Sequence, residues 1–248
     1  MLTKTEAIVL HSFKYGEARM IVDVFTRLDG RVSFIVPLPK TQKGRMKKQL
    51  FQPLTLLETE YDLRPSVQLQ KLHDVRLLTP SVSIPFDASK LSIALFLAEF
   101  LYHALRSEQR NEPLFDYVRS SVEWLDGCSD HFANFHLVFL MRLSRFLGFY
   151  PNLTGYAPGD YFDLRASTFC QHPPLHSDFL DVDEAGKLCL MMRMHYENMH
   201  LFVMSRQERN RCIEVMMDYY RIHLPDFPEL KALAVLREVC ETLRVSKV

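Results

Sequence analysis

Three short apolar runs separated by turn signals occupy the first 37 residues of this chain. The runs cover residues 6–13, 19–27 and 31–36, and each is rich in β-branched or aromatic side chains, which favour β-strands. Asp29-Gly30, between the second and third runs, predicts a tight hairpin turn because these residues tolerate positive φ angles. Three short strands joined by tight turns are typical of the start of a small antiparallel barrel or sandwich.

The second run predicts a strand with two distinct faces, because successive strand side chains point to opposite sides. One face carries Met20, Val22 and Val24, and the other carries Ile21, Asp23 and Phe25. Two later runs, residues 51–61 and 67–72, raise the number of predicted strands to five. Five strands with one long basic connection favour an OB-fold, whose loops and one barrel face commonly bind single strands. The same periodicity also fits an SH3-like barrel.

The connection between the third and fourth predicted strands is strongly basic. Residues 40–48 read Lys-Thr-Gln-Lys-Gly-Arg-Met-Lys-Lys, with five positive charges and no acidic residue. The surroundings are basic as well: residues 1–80 hold 13 Lys and Arg against 8 Asp and Glu, whereas the remainder holds 17 against 22. Such a loop can neutralise phosphates without reading bases, although a solvated loop would have the same composition.

This pattern identifies nine candidate DNA-binding residues. They are Lys40, Lys43, Arg45, Lys47 and Lys48 in the basic connection, Arg19, Arg27 and Arg31 near predicted strand ends, and Tyr15 as an aromatic that could stack on a base. The alternative for the three arginines is an ordinary surface position. Phe25, Phe34 and Phe51 could stack on bases too, but for Phe25 and Phe34 we favour the barrel core.

The hydrophobic period changes from two to 3.6 after the proline-punctuated connector at residues 79–86. Apolar stripes and capping signals then predict helices over residues 90–106, 113–127, 130–148, 205–220 and 226–243. Residues 149–204 form an irregular segment. Strands followed by helices predict an α+β fold. We place a five-stranded OB-fold DNA-binding domain at residues 1–80 and an all-α domain, interrupted by the irregular insertion, at residues 81–248.

Cysteine usage and hydropathy predict a cytoplasmic protein. The five cysteines, Cys128, Cys170, Cys189, Cys212 and Cys240, are widely spaced and form no C-x-x-C pair, which fits a reducing compartment better than a disulfide framework. We expect no membrane span, because no apolar run reaches about 18 residues, and no amino-terminal export signal is visible. Walker, zincin and serine-hydrolase motifs are missing from the sequence, so we predict a protein that is not an enzyme.

Two sequence motifs resemble the bacterial RecO family of DNA repair proteins. The first comprises Thr5-Glu6-Ala7-Ile8-Val9-Leu10, Tyr15-Gly16-Glu17-Ala18, Ile21-Val22-Asp23-Val24-Phe25-Thr26-Arg27 and Gly30. The second is Leu143-Ser144-Arg145-Phe146-Leu147-Gly148-Phe149-Tyr150-Pro151-Asn152-Leu153. Together with the order of elements, the likeness covers most of the chain.

The resemblance implies a recombination mediator without a nucleotide cofactor. Such proteins bind single- and double-stranded DNA, anneal complementary strands, and act with RecR to place RecA on strands coated by single-strand DNA-binding protein. The helical domain would then present an apolar groove to the acidic C-terminal tail of the single-strand DNA-binding protein. Two rival hypotheses are an adaptor that binds only proteins, and a metal-dependent nuclease built on the acidic residues between 160 and 183.

The segment after the second motif departs from the pattern of the resembled family. Many members carry two C-x-x-C pairs there, and four thiolates at that spacing bind zinc tetrahedrally. This chain has Cys170, His172, His176 and Cys189 instead, at a spacing that matches no common structural site. We therefore expect no metal, and we expect packing by Leu175, Phe179, Leu180 and Val182 in its place.

Overall fold

The computed structural model describes residues 2–38, 41 and 48–242. The chain divides into two compact units, of which the first comprises Met1–Gly127 with Glu229–Val248 and the second comprises Cys128–Pro228. The first unit thus holds both the predicted barrel and part of the predicted helical region. This division into compact units does not test the predicted domain boundary near residue 80, which stays a prediction.

The first five strands form a closed barrel. They are β1 (Leu2–Tyr15), β2 (Arg19–Thr26), β3 (Gly30–Pro37), β4 (Leu56–Asp62) and β5 (Leu69–Thr79). Their order around the barrel is β1-β2-β3-β5-β4, and the β3–β5 pair is parallel whereas the other pairs are antiparallel. The predicted five-stranded barrel of the OB type is therefore confirmed.

One of the two predicted faces of β2 points into the barrel interior. Met20, Val22 and Val24 are buried there, and the Phe34 and Tyr61 rings meet edge to face with centroids 4.9 Å apart. Phe34 and Phe51 both lie in the barrel core, which confirms the prediction made for Phe34. Phe25 is also fully buried, but on the outer side of the sheet.

Three helices complete the first unit: α1 (Ala88–Ala104), α2 (Glu112–Gly127) and, after the second unit, α6 (Ala232–Thr242). Phe25 packs on α2, with its ring centroid 5.9 Å from that of Phe115. The Glu99 carboxylate on α1 accepts hydrogen bonds from the backbone N–H groups of Lys231 and Ala232, at 3.1 and 2.7 Å. Because these amides lie at the start of α6 and have no partner within the helix, Glu99 acts as its cap.

The second unit combines helices with a small sheet. Its elements are α3 (Phe135–Phe146), β6 (Tyr161–Asp163), β7 (Thr168–Cys170), β8 (Phe179–Leu180), α4 (Val182–Arg193) and α5 (Arg206–His223). The strand order is β7-β6-β8. Helices α3 and α5 confirm the helical prediction, and α5 begins with a capping box formed by Ser205 and Glu208. The predicted all-α description needs a correction, because the irregular insertion contains this antiparallel sheet and α4.

Aromatic packing fastens the small sheet to α5. The Phe162 ring on β6 is fully buried, with centroids 4.8 Å from Phe169 and 6.2 Å from Tyr219. The Tyr219 hydroxyl donates to the Phe149 carbonyl oxygen and lies 2.7 Å from Ser167 Oγ. The strands are too short for periodicity to reveal them, and side chains far along the chain hold them in place.

No helix within the described parts of the chain is long and apolar enough to cross a membrane.

Candidate nucleic-acid interface

The β1–β2 hairpin brings two of the predicted DNA-binding residues together at its tip. Tyr15 ends β1 and pairs with Arg19, which begins β2. Gly16 follows Tyr15 with a φ of +65°, a conformation that glycine adopts without steric cost. The Tyr15 side chain is 50% exposed and Arg19 is exposed as well. An aromatic ring and a guanidinium group are therefore neighbours on an accessible edge of the barrel.

The basic connection leaves and rejoins the fold beside this hairpin. Immediately before it, the Leu38 N–H donates to the Ala18 carbonyl oxygen at 2.7 Å. Immediately after it, Ser12 Oγ donates to the Phe51 carbonyl oxygen at 2.8 Å. Both described flanks are thus bonded to the β1–β2 hairpin. We call residues 40–48 the basic segment.

The members of the basic segment differ in how far the structure describes them. Lys48 is exposed, and its carbonyl oxygen accepts a bond from the Phe51 N–H. The four other predicted cations of the segment, Lys40, Lys43, Arg45 and Lys47, lie outside the described residues.

Arg27 lies at the opposite end of the barrel from the hairpin tip. It directly follows Thr26, which pairs with Ala7, eight residues from Tyr15, so about 25 Å of strand separates the two ends. Its guanidinium forms ion pairs with Glu6, at 3.1 Å, and with carboxylates of α2, Glu112 at 3.7 Å and Asp116. Surrounded by three carboxylates, Arg27 stabilises the contact between barrel and helix and is not part of a cationic patch at the tip.

Arg31 is likewise committed to contacts inside the first unit. Its side chain is 12% exposed, and its guanidinium lies 3.2 Å from Asp23 and donates to the Tyr102 carbonyl oxygen at 2.9 Å. The same group lies over the Tyr102 ring, 4.4 Å from the centroid, which adds a cation–π contact. The structure therefore places Arg19 and Tyr15 together at the tip, but places neither Arg27 nor Arg31 with them.

Asp23 is a buried carboxylate held in its charged form. Burial raises its pKa, but His11, Ser33 and Arg31 together outweigh that effect and hold the pKa of Asp23 below the ordinary value of 3.8. Ser33 donates a hydrogen bond to it, and His11 Nδ1 lies 3.7 Å from Asp23 Oδ2, beyond hydrogen-bond distance. The Arg31 charge is thus neutralised within the fold.

Replacing Asp23 with Asn is expected to lower the free energy of unfolding by about 1–3 kcal/mol at pH 7, because Arg31 loses its charged partner. A carboxyl whose pKa is lower in the folded state stabilises the fold above its unfolded pKa, and that contribution disappears as the pH falls through the folded pKa. The stability gap between wild type and Asp23→Asn should therefore narrow below pH 3.8. Urea unfolding between pH 3 and 7 would measure it. A gap that stays constant with pH would contradict this role.

An exposed aromatic residue at the hairpin escaped the sequence analysis. Phe13 is 41% exposed and lies two residues before Tyr15, on the same face of β1. It lies within the first apolar run and was not among the nine candidate residues. The sequence signal that could have identified it is its two-residue spacing from Tyr15, which places both side chains on the same face of a strand.

The second unit does not gather the residues proposed for zinc or for a nuclease. Among the described residues, no group of three or more His, Cys, Asp or Glu side chains is placed to hold a metal ion. Burial raises the pKa of both the Cys170 and the Cys189 thiol. His176 instead faces Asp163 at 3.3 Å. The residues present do not fit the zinc site implied by the resemblance.

Three acidic residues of the same region have local hydrogen-bond partners. Asp160 accepts from the Ala157 N–H at 2.8 Å, Asp163 accepts from the Arg165 and Ala166 N–H groups, and Asp181 caps α4 through the Glu184 N–H. These bonds explain the acids as turn and cap residues. The expected replacement packing is only partly right, since Leu180 is buried but Leu175 is fully exposed and Val182 is 37% exposed.

Comparison with known protein families identifies two matching models that cover most of the chain. The model described as Recombination protein O N terminal matches residues 1–81, and the model described as Recombination protein O C terminal matches residues 85–233. The first match contains the barrel and the basic segment, and the second contains α1 to α5 and the small sheet.

Curated relatives give the same result over the full length. The chain is 55% identical to a DNA repair protein RecO of Bacteroides fragilis over 240 residues, covering 96% of this chain and 99% of the relative. It is 53% identical over 239 residues to the protein of the same name from Phocaeicola vulgatus, with the same coverage. It is 33% identical over 241 residues to the DNA repair protein RecO of Flavobacterium psychrophilum, again with 96% and 99% coverage.

Proposed function

The chain belongs to the RecO family of DNA repair and recombination proteins, and from this membership we propose that its barrel binds DNA at the β1–β2 hairpin tip and the basic segment. The observation that carries the proposal is the attachment of both flanks of the basic segment to that hairpin, through Leu38 and Ala18 on one side and Ser12 and Phe51 on the other. Five lysines and arginines of the segment would thereby act together with Arg19 and Tyr15.

Electrostatics supports binding that does not depend on sequence. Lysine and arginine side chains that neutralise phosphates release counterions, which supplies affinity without recognising bases. The basic segment contains five cations and no acid, whereas the chain as a whole has no net charge. The attraction is therefore local to the segment and its hairpin.

The full proposed role is that of a non-enzymatic recombination mediator in the bacterial cytoplasm. The cationic segment would bind single- and double-stranded DNA and would let two complementary strands approach by reducing phosphate repulsion, while base pairing supplies the specificity of annealing. Acting with RecR, the protein would load RecA onto single strands coated by single-strand DNA-binding protein. We assign contact with the acidic tail of the latter to the helical region. Arg27 and Arg31 remain predictions, and their ion pairs favour a structural role.

A protein-only adaptor is the alternative that a specific observation favours. Exposed apolar side chains occur outside the barrel tip, for example Phe86 at 84% and Leu91 at 40% near the start of α1. An adaptor would use such positions and would show no salt-dependent affinity for DNA.

The test is a salt series of fluorescence anisotropy with a labelled single strand. Replacing Lys40, Lys43, Arg45, Lys47 and Lys48 with Ala is expected to weaken binding to every sequence without unfolding the protein. If five phosphates are contacted, the wild-type slope of log affinity against log salt should be about −3.5, and it should flatten in the variant.

A charge-matched variant controls for the loss of five positive charges in general. It carries Ala at Arg64, Arg76, Arg110, Arg165 and Arg193, which are all exposed and lie outside the proposed interface. This control should retain the wild-type slope. Equal affinity and slope in all three proteins would exclude the basic segment as the DNA-binding element, and weak, salt-insensitive binding throughout would favour the adaptor.

A further inference from the structure

The outward face of β1 carries three consecutive ring side chains. The β1–β2 register shifts between Val9 and His11, and beyond this bulge Ser12 pairs with the core residue Val22 and bonds to the Phe51 carbonyl oxygen. Since strand side chains alternate, His11, Phe13 and Tyr15 project from the opposite, outer side. We call these three residues the aromatic row.

The rings of the aromatic row are accessible. The exposed fractions are 41% for Phe13, 50% for Tyr15 and 45% for the His11 side chain. The His11 and Phe13 ring centroids are 5.4 Å apart, and His11 also lies 4.7 Å from the Tyr102 ring on α1. Ring contacts therefore run from Phe13 through His11 to Tyr102 on α1, and Tyr15 occupies the next outward position at the hairpin tip.

Apolar side chains and cations flank the row across the sheet. Phe13 is paired with Ile21, which is paired with Ile35, and both isoleucines are only partly buried. Beyond Ile35 the next strand presents exposed Lys71, and at the tip Tyr15 is paired with Arg19. An apolar strip of sheet is thus edged by positive charge.

The inner end of the row opens into a cleft beside α1. Tyr102 and His103 line it from α1, and Arg106 lines it from the turn that follows α1. Asp23, Arg31 and Ser33 line it from the barrel, together with Gln68 and Leu69. Arg106 is exposed. The one carboxylate in this wall, Asp23, is buried and neutralised by Arg31, so it presents no free negative charge to an anion.

Exposed rings on a strand can be plain surface residues, but three features of this row fit one ligand. The rings occupy successive outward positions, Arg19 lies beside Tyr15 and Lys71 lies at the far edge of the apolar strip, and both described flanks of the basic segment are bonded to the same hairpin. Neighbouring outward side chains are about 6.7 Å apart along a strand, roughly twice the 3.4 Å rise per nucleotide of stacked DNA. A strand that followed the row would have its bases separated from one another, so that each base could stack on one ring instead of on a neighbouring base.

We propose that His11, Phe13 and Tyr15 form a stacking surface for the unpaired bases of single-stranded DNA, and that this surface makes the barrel prefer single strands to duplex. The inference rests on the proposed function, since the basic segment and Arg19 hold the phosphates while the rings take the bases. The phosphates of duplex DNA can contact the cations, but its bases cannot stack on the rings, because they are already stacked and paired with one another.

The experiment compares wild type with Phe13→Ala/Tyr15→Ala on a single strand, on a duplex of the same sequence and on an abasic single strand. Stacking of one base on one ring corresponds to about a 5-fold change in affinity or more. We therefore expect the double variant to bind the single strand about 25-fold or more weakly, with duplex affinity changed less than about 3-fold. Wild type should bind the abasic strand at least as weakly as the variant binds the intact single strand, because the His11 ring loses its base as well.

A matched control removes two exposed apolar side chains elsewhere in the same unit, Leu63 at 39% and Val67 at 43% exposure. Leu63→Ala/Val67→Ala should bind all three nucleic acids as wild type does. Unchanged single-strand affinity in Phe13→Ala/Tyr15→Ala, or equal losses on single strand and duplex, would overturn the stacking surface while leaving the proposed function standing. Wild type that fails to bind any DNA would overturn the proposed function itself. The abasic comparison uses only wild type, so it decides the question even if the double variant does not fold.

Discussion

Replacing Gly30 with Ala is expected to lower the free energy of unfolding by about 3 kcal/mol or more. Gly30 starts β3 with a φ of +67° and is packed against the loop between α1 and α2. A Cβ at this position would lie 2.6 Å from the Gln109 carbonyl oxygen and closer still to the Glu108 carbonyl oxygen, both of them backbone atoms. Two costs therefore add: left-handed backbone strain for a residue with a side chain, and a clash that only movement of the loop can relieve.

The structural consequence of Gly30→Ala should extend beyond the turn. The neighbouring Arg31 N–H donates to the Glu108 carbonyl oxygen at 3.0 Å, and this bond connects the barrel to the α1–α2 loop. Moving the loop to accommodate a methyl group would lengthen or break that bond. Amide exchange at Arg31 should therefore become faster in the variant, in addition to the lower unfolding free energy measured in urea.

Gly16 supplies a matched control for this prediction. Its φ of +65° is almost the same as that of Gly30, and it too lies in a hairpin turn of the barrel, but among the described residues no atom beyond its chain neighbours lies within 4 Å of the position of a Cβ. Gly16→Ala should therefore lower the free energy of unfolding only through left-handed backbone strain, by about 1 kcal/mol. Equal destabilisation of the two variants would show that the close approach at Gly30 contributes nothing. A smaller effect at Gly30 than at Gly16 would contradict the packing altogether.

The amino-terminal fold was predictable because its information is local. Alternation in β2 assigned Met20, Val22 and Val24 to one face, and the barrel core confirms that assignment. Asp29-Gly30 marked the second hairpin, and the structure has a turn between β2 and β3 at that place. Short-range patterns of this kind follow directly from strand geometry and turn conformations.

The environment of single charged residues was not predictable from the same patterns. Arg27 looked like a member of a cationic patch, yet its partner Asp116 lies 89 residues later in the chain. Arg31 is bound by the Tyr102 carbonyl oxygen, 71 residues away. Near neighbours in sequence determine a strand, but whether a charge is free or paired depends on the helix that covers the strand. Phe13 shows the converse, since composition alone favours burial of a phenylalanine ring and this residue is 41% exposed.

The insertion in the second unit was the part least accessible to sequence reasoning. Its strands are two or three residues long, so two-residue alternation has no room to appear. Helix α4 was overlooked because Gly186 and the neighbouring prolines made the whole region look irregular. What orders these pieces is long-range aromatic packing, which local periodicity does not encode.

Removing the Phe162 ring should test whether that packing holds the insertion. Phe162 is fully buried on β6 between the Phe169 and Tyr219 rings. Replacing a buried phenylalanine with alanine typically costs about 3–5 kcal/mol, from lost transfer free energy and from the cavity left behind. We expect Phe162→Ala to lower the unfolding free energy of the second unit by that amount, measured by urea denaturation followed by circular dichroism.

Leu175→Ala is the matched control for Phe162→Ala, because Leu175 belongs to the same insertion but is fully exposed, and its truncation should change stability by less than about 0.5 kcal/mol.

A strong chelator should leave the melting temperature of wild type unchanged, because the described His, Cys, Asp and Glu residues are not grouped to hold a metal. Structural zinc contributes folding free energy outright, so its removal from a metal-stabilised insertion would lower the melting temperature sharply. If a chelator lowered the melting temperature of wild type and Phe162→Ala lowered the unfolding free energy only slightly, the packing assignment would be wrong. Metal binding, and not aromatic packing, would then be the interaction that stabilises the second unit.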